Sequence, residues 1–254
     1  MRIARISRPA APPAFARLDG ATAHLLDAPP WLGGRETGEQ TAFDPQALRA
    51  PIVPSKIVAI GRNYAAHAKE LGHDVPSEPL LFLKPPSSIL EPGGVVRLPA
   101  ASARVEHEAE LGVVIGARAR KVREADALAH VCGYTVLCDV TARDLQRKDV
   151  QFTRAKGFDT FCPAGPWIET ALDPRDLEVS LRVNGAPKQR GRTREMIFDV
   201  AKLVSYVSHV MTLEPGDVIS TGTPEGVGPL VDGDVVEIEV AGIGVLRVTC
   251  APDA

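Results

Sequence analysis

Three glutamates stand at alternate positions in Val105-Glu106-His107-Glu108-Ala109-Glu110-Leu111, and the run Gly-Val-Val-Ile-Gly116 follows directly. Side chains of an extended strand alternate between its faces, so Glu106, Glu108 and Glu110 share one face while His107, Ala109 and Leu111 take the other. A helix would spread the three acids around its axis. The β-branched apolar run after them reads as a strand entering a core, where neighbouring unpaired carboxylates are costly. Two arrangements satisfy this pattern: an edge strand with an acidic solvent face, or a face on which a divalent cation removes the repulsion. Spacing alone does not choose between them.

The 254 residues suffice for a sizeable core, as one large domain or as a small domain joined to a larger one. Charged residues make up 24% of the chain and the net charge is -3, a balance that favours neither nucleic acid nor an anionic membrane as a partner. No apolar run approaches membrane-spanning length and the first residues lack the apolar stretch of a signal peptide, so a cytoplasmic protein acting on small molecules is expected. Cys132, Cys138, Cys162 and Cys250 lack the paired spacing of a zinc site and are expected to be reduced and buried.

Residues 1–52 are expected to form a small N-terminal domain and linker, and 53–254 a larger, β-rich body in which strand signals recur between Gly and Pro punctuation. Helices are expected over 63–71 with Asn63 as the N-cap, over 123–130 and over 199–211. Gly216-Asp-Val and Gly233-Asp-Val read as turns opening successive strands of one barrel or roll.

Several other residues carry chemical potential. Asp139 ends the apolar run from Gly133 and precedes a short helix that Thr141 could cap; it could support that turn or serve a site. Together with Glu108 and Glu110 it would make three carboxylates with room for water, a donor set that suits Mg²⁺ or Mn²⁺ better than zinc. His67 and Glu70 are three residues apart on a predicted helix, within reach of each other, and a carboxylate partner orients an imidazole as a general base; an ordinary solvent-facing histidine fits equally. Lys156 and Lys84 are isolated cations among small, aromatic and proline residues, where an ammonium can stabilise an enolate oxygen or bind a carboxylate. Ser220-Thr-Gly-Thr-Pro-Glu-Gly-Val-Gly228 is a Gly-rich loop able to hold an anion, or a plain turn. It matches neither the P-loop nor the dinucleotide fingerprint, so no nucleotide cofactor is expected.

Taken together, Gly61-Arg-Asn-Tyr-Ala-Ala-His67-Ala-Lys-Glu70, Phe82-Leu-Lys-Pro, Glu106 to Gly116, Gly133 to Asp144, Arg154-Ala-Lys-Gly-Phe-Asp159 and Gly222-Thr-Pro-Glu-Gly-Val-Gly228 occur in one order over about residues 55 to 250. This ordered set resembles the fumarylacetoacetate hydrolase family. The resemblance implies a β-rich α+β fold, a mixed β-sandwich roll with a small N-terminal domain, and usually a homodimer. It places the metal ligands on Glu108, Glu110 and Asp139, leaving Glu106 outside the set. It also implies a catalytic dyad of His67 and Glu70 on a lid, a catalytic Lys156, and substrate contacts from Gln146, Thr223 and Arg62. The implied activity is Mg²⁺- or Mn²⁺-dependent cleavage of a C–C bond in a small 2-oxo or 1,3-dicarbonyl acid, by acylpyruvate hydrolysis or oxaloacetate-type decarboxylation through an enolate. An isomerase or decarboxylase of hydroxymuconate-type diacids is the alternative within enzymes, and a catalytically silent small-acid binder the alternative outside them.

Overall fold

The apolar run behind the acids is the centre of the molecule. In the computed structural model, which describes residues 1–253, strand Ala109–Ile115 is buried along its whole length. It lies inside a twelve-stranded mixed sheet, between the antiparallel neighbours Val131–Cys138 and Val218–Ser220. From there one half of the sheet continues through Ile57–Gly61 to the edge strand Leu80–Lys84. The other continues through Cys162–Glu169 to the N-terminal strands Arg2–Arg8, Ala11–Asp19, Thr22–Leu26 and Glu36–Ala42. The N-terminal strands therefore extend the same sheet that carries Glu110.

A second sheet of five strands, from Ala186–Arg192 through Glu178–Val183, Val235–Val240 and Gly244–Pro252 to Val95–Leu98, packs over the first. Its inward residues Leu181, Ile238, Leu246 and Val248 meet Leu111, Val113 and Val136 in one apolar cluster. Alternation explains why these residues meet: Val235–Val240 buries every second side chain, as a strand with one covered face must. The opposite face of the main sheet is covered by Phe15, Ile52 and Trp31 against Ile57, Val114 and Leu137. The strand-rich α+β sandwich read from the sequence is the fold that forms.

Four local readings need correction. The helix expected over 63–71 covers only Ala65–Glu70, and Asn63 does not cap it; its carboxamide instead donates to the carbonyls of Phe198 and Thr221 and accepts from Phe198 N–H. The segment at 123–130 winds as a 3-10 helix, Glu124–His130. Thr141 caps nothing: its hydroxyl donates to the Asp139 carbonyl, and helix Arg143–Asp149 begins after Ala142. The two Gly-Asp-Val turns do not open neighbouring strands, since Val218–Ser220 belongs to the main sheet and Val235–Val240 to the five-stranded one. The last expected helix does form, as Val200–Val210, with the Asp199 side chain accepting from Lys202 N–H.

Candidate functional site

The chain changes sheets at Glu108. Val105–His107 pairs with Thr141–Ala142 and Gly228–Pro229 in a small three-stranded sheet, and the main-sheet strand starts at Ala109. Across the ladder Ala109 faces Cys138, and Asp139 N–H donates to the Glu108 carbonyl, so Asp139 arrives beside Glu108 by register alone. Glu110 is two residues further into the core. One oxygen from each of Glu108, Glu110 and Asp139 falls within a 4.8 Å cluster, the only such group of three acids, histidines or cysteines among the described residues. All three side chains are buried.

Buried carboxylates this close need compensating charge. Lys156 Nζ donates to Glu108 Oε2 at 2.8 Å and to Asp139 Oδ2 at 2.7 Å, and Lys84 Nζ donates to Asp139 Oδ1 at 2.7 Å. Arg143 Nη2 reaches Glu108 Oε1 at 2.5 Å. Among the described residues Glu110 has no cation bonded to it: its Oε2 accepts only from the Ser220 hydroxyl at 2.6 Å and Gly222 N–H at 2.8 Å. The charges follow this asymmetry. Burial opposes ionisation of Glu108, but Lys156 and Arg143 outweigh it and hold the group well below the carboxylate range. At Glu110 burial and the charges of Asp139 and Glu108 act in the same direction and push the carboxyl up to about 8. Burial disfavours the Lys156 ammonium, yet Asp139 and Glu108 prevail and raise its pKa.

The donor set fits a divalent cation. It consists of hard oxygen donors, Glu110 within a strand, Glu108 just before it and Asp139 just after the neighbouring strand, and Glu110, left short of positive charge, is the member that an added cation would return to its carboxylate form.

Beside this centre lies a cavity of about 330 Å³ lined by Arg62, His67, Glu108, Gln146 and Lys156 together with Leu71, His73, Arg143, Arg147, Val150 and Phe152. His67 Nδ1 is 3.1 Å from Glu70 Oε2, and Glu70 Oε1 accepts from Gly226 N–H at 3.0 Å. The carboxylate is thus held at both oxygens, and the tautomer with Nδ1 protonated leaves Nε2 as the imidazole's basic atom. His67, Lys156, Gln146 and Arg62 are brought to one cavity. Thr223 is not; it is buried within the Gly-rich loop, donating to the Ala109 carbonyl and accepting from Gln189. A larger cavity of about 610 Å³ near Phe198 holds no comparable cluster, and its charged residues Arg175, Arg194 and Lys202 are paired with acids.

Residues that the sequence reading passed over also bear on the site. His73 lines the cavity, and burial together with Arg62, His67 and Arg143 lowers its pKa. Gln189 accepts from Ala109 N–H and bonds the His107 ring through Oε1, and donates to Thr223 and the Pro224 carbonyl. It ties the acid-bearing strand to the Gly-rich loop from a sheet 80 residues away in sequence. No local pattern around Gln189 signals this role.

Residues 56–251 match the family model described as fumarylacetoacetate (FAA) hydrolase C-terminal, and residues 1–51 match Rv2993c-like, N-terminal. The chain belongs to the fumarylacetoacetate hydrolase family. It is 48% identical to the mitochondrial oxaloacetate decarboxylase of Dictyostelium discoideum over 195 residues, 74% of this chain and 89% of the relative. The crystal structure of 5-carboxymethyl-2-hydroxymuconate delta-isomerase from Mycobacterium smegmatis is 45% identical with a TM-score of 0.91, covering 100% of both chains. Fumarylpyruvate hydrolase from Pseudomonas aeruginosa, solved with Mn²⁺ and pyruvate, is 34% identical with a TM-score of 0.75, over 80% of this chain and 91% of that one.

Proposed function

We propose that this protein is a Mg²⁺- or Mn²⁺-dependent enzyme that cleaves a C–C bond beside the 2-oxo group of a small carboxylic acid. One observation carries the reading: a single cavity is lined by His67, which Glu70 orients, by the buried Lys156 ammonium and by Glu108, a member of the buried three-carboxylate cluster. Glu108, Glu110 and Asp139 would hold the cation, which supplies Lewis acidity to an enolate oxygen when bound.

The remaining steps fall to the chain's own groups. Lys156 keeps its proton between Glu108 and Asp139 and offers positive charge where an enolate develops. Arg62 and Arg147, which take part in no ion pair among the described residues, favour an anionic substrate in the same cavity. His67 Nε2 takes a proton from water as that water adds to the distal carbonyl; the adduct collapses to a carboxylic acid as the C–C bond breaks, the electron pair of that bond remains as the enolate beside Lys156, and the proton on His67 passes to the enolate carbon, while Glu70 holds the ring in place. Closure of the Ala65–Glu70 segment would exclude bulk water around the dyad. Decarboxylation would use Lys156 and the carboxylate cluster without the dyad.

The full-length match to a hydroxymuconate isomerase favours a second reading, in which the same residues shift a double bond by proton transfer. A panel of acylpyruvates, oxaloacetate and hydroxymuconate-type diacids with Mg²⁺ separates the two, since cleavage gives two fragments and isomerisation one product. No turnover of any member by the metal-loaded protein would leave only a small-acid binder. The protein is further expected to be a cytoplasmic homodimer with 1–52 as a small domain and 53–254 as the catalytic one; light scattering tests the stoichiometry.

A further inference from the structure

Glu106, the first of the three alternating acids, lies outside the ligand cluster yet is 2% exposed. Its Oε1 accepts from Arg104 Nε at 2.5 Å and its Oε2 from Arg143 Nε at 2.6 Å. Arg143 is equally buried and uses each arm of its fork on a different acceptor: Nη2 donates to Glu108 Oε1 at 2.5 Å and Nη1 to Gln146 Oε1 at 2.6 Å. Because the Gln146 oxygen faces the guanidinium, its amide nitrogen is left with two N–H donors and no acceptor among the described residues, on a residue that lines the cavity.

A guanidinium beside a carboxylate prefers the bidentate arrangement, with two parallel N–H groups on both oxygens. Released from Glu106, Arg143 would swing onto Glu108 in this way and engage Oε2, the oxygen that faces Lys156 and Asp139, while letting go of Gln146. We propose that Glu106 is a positioning residue: by holding Arg143 Nε it confines that guanidinium to one oxygen of Glu108, keeps it off the other, which among the described residues meets only Lys156 and faces the ligand cluster, and fixes Gln146 with its N–H groups available to an anionic substrate. The third acid of the motif thus serves the site through Arg143. Only a rigid three-armed cation can touch all three acceptors, which is why the position requires arginine.

The inference rests on the metal-dependent reading above, and the test separates the two. Mn²⁺ binding is measured by electron paramagnetic resonance on the purified full-length protein, followed by oxalate, a planar mimic of a 2-oxo acid enolate, as the probe of the cavity. In Glu106→Gln the Mn²⁺ dissociation constant should rise about tenfold, the usual effect of removing an outer partner of a ligand, and oxalate should bind the Mn²⁺-saturated protein more weakly. Arg143→Lys should give a similar loss, and the double variant should lose no more than either single one, because both break the same link. Arg104→Ala, which removes only the exposed contact to Glu106, should stay within about twofold of wild type. Should Glu106→Gln fail to fold, Glu106→Asp is read by the same criteria. Wild-type Mn²⁺ affinity in Glu106→Gln, or losses that add in the double variant, would overturn the positioning role alone; absence of Mn²⁺ binding by the wild-type protein would overturn the metal reading itself.

Discussion

Replacing Glu110 with Gln should make the chelator-treated protein more stable at alkaline pH, although it removes a proposed ligand. No cationic side chain bonds Glu110 among the described residues, and burial together with Asp139 and Glu108 outweighs the weaker pull of Lys156 and pushes its carboxyl up to about 8 from 4.5. Between those two pH values the folded chain keeps a proton that the unfolded chain has released, so stability falls as pH rises through the window. At about 1.4 kcal/mol per pH unit, the loss amounts to roughly 4 to 5 kcal/mol by about pH 8. For a chain of this size that corresponds to a Tm difference of about 10 °C or more. Glutamine is neutral throughout, and its carbonyl oxygen can accept from Ser220 and Gly222 as Glu110 Oε2 does. Thermal unfolding in EDTA should therefore show wild type and Glu110→Gln melting together near pH 5, and the variant melting well above wild type near pH 8. Added Mg²⁺ should raise the wild-type Tm at the higher pH and leave the variant unmoved. Glu108, held low by Lys156 and Arg143, slopes the other way but does so in both proteins. A variant less stable than wild type at pH 8 in EDTA would refute this account of the charges.

His67→Ala should retain Mg²⁺ affinity while hydrolysis falls about 10²- to 10⁴-fold, the range for loss of a general base; parallel metal titration and product assays read both, and unchanged turnover would remove His67 from the mechanism. Gly222 has φ +94°, and an added Cβ would stand 2.7 Å from Asn63 Cβ, so Gly222→Ala should cost roughly 2 to 4 kcal/mol from backbone strain and overlap, lowering the Tm by about 5 to 10 °C. Gln189→Ala leaves Ala109 N–H and the Pro224 carbonyl without their buried partner, and should cost about 3 to 5 kcal/mol by chemical denaturation, against under 1 kcal/mol if those bonds are unimportant.

Much of the candidate site is legible because it follows from strand periodicity. Glu108 and Glu110 share a face because side chains alternate, and Asp139 comes beside them because the neighbouring strand ends there. Glu106 shows where periodicity stops helping: the chain changes sheets at Glu108, so the residue before the break is drawn to Arg143 and Arg104. Asn63 was misread for a related reason, since an asparagine before a helical pattern resembles an N-cap until tertiary structure supplies the Phe198 and Thr221 carbonyls. Lys84 stood out only as an isolated cation; its partner Asp139 is 55 residues away and meets it through the fold. Gln189 left no trace at all, because a neutral amide on a five-stranded sheet gains its meaning only once that sheet packs over the main one.

The central claim is that Glu108, Glu110 and Asp139 form one divalent-cation site. Calorimetric titration of Mn²⁺ into wild type and Asp139→Ala, with folding of both verified by circular dichroism, tests it most directly. One ion per chain in wild type and no measurable binding in the variant is the predicted result. Equal binding by the two proteins, or none by wild type, would contradict it.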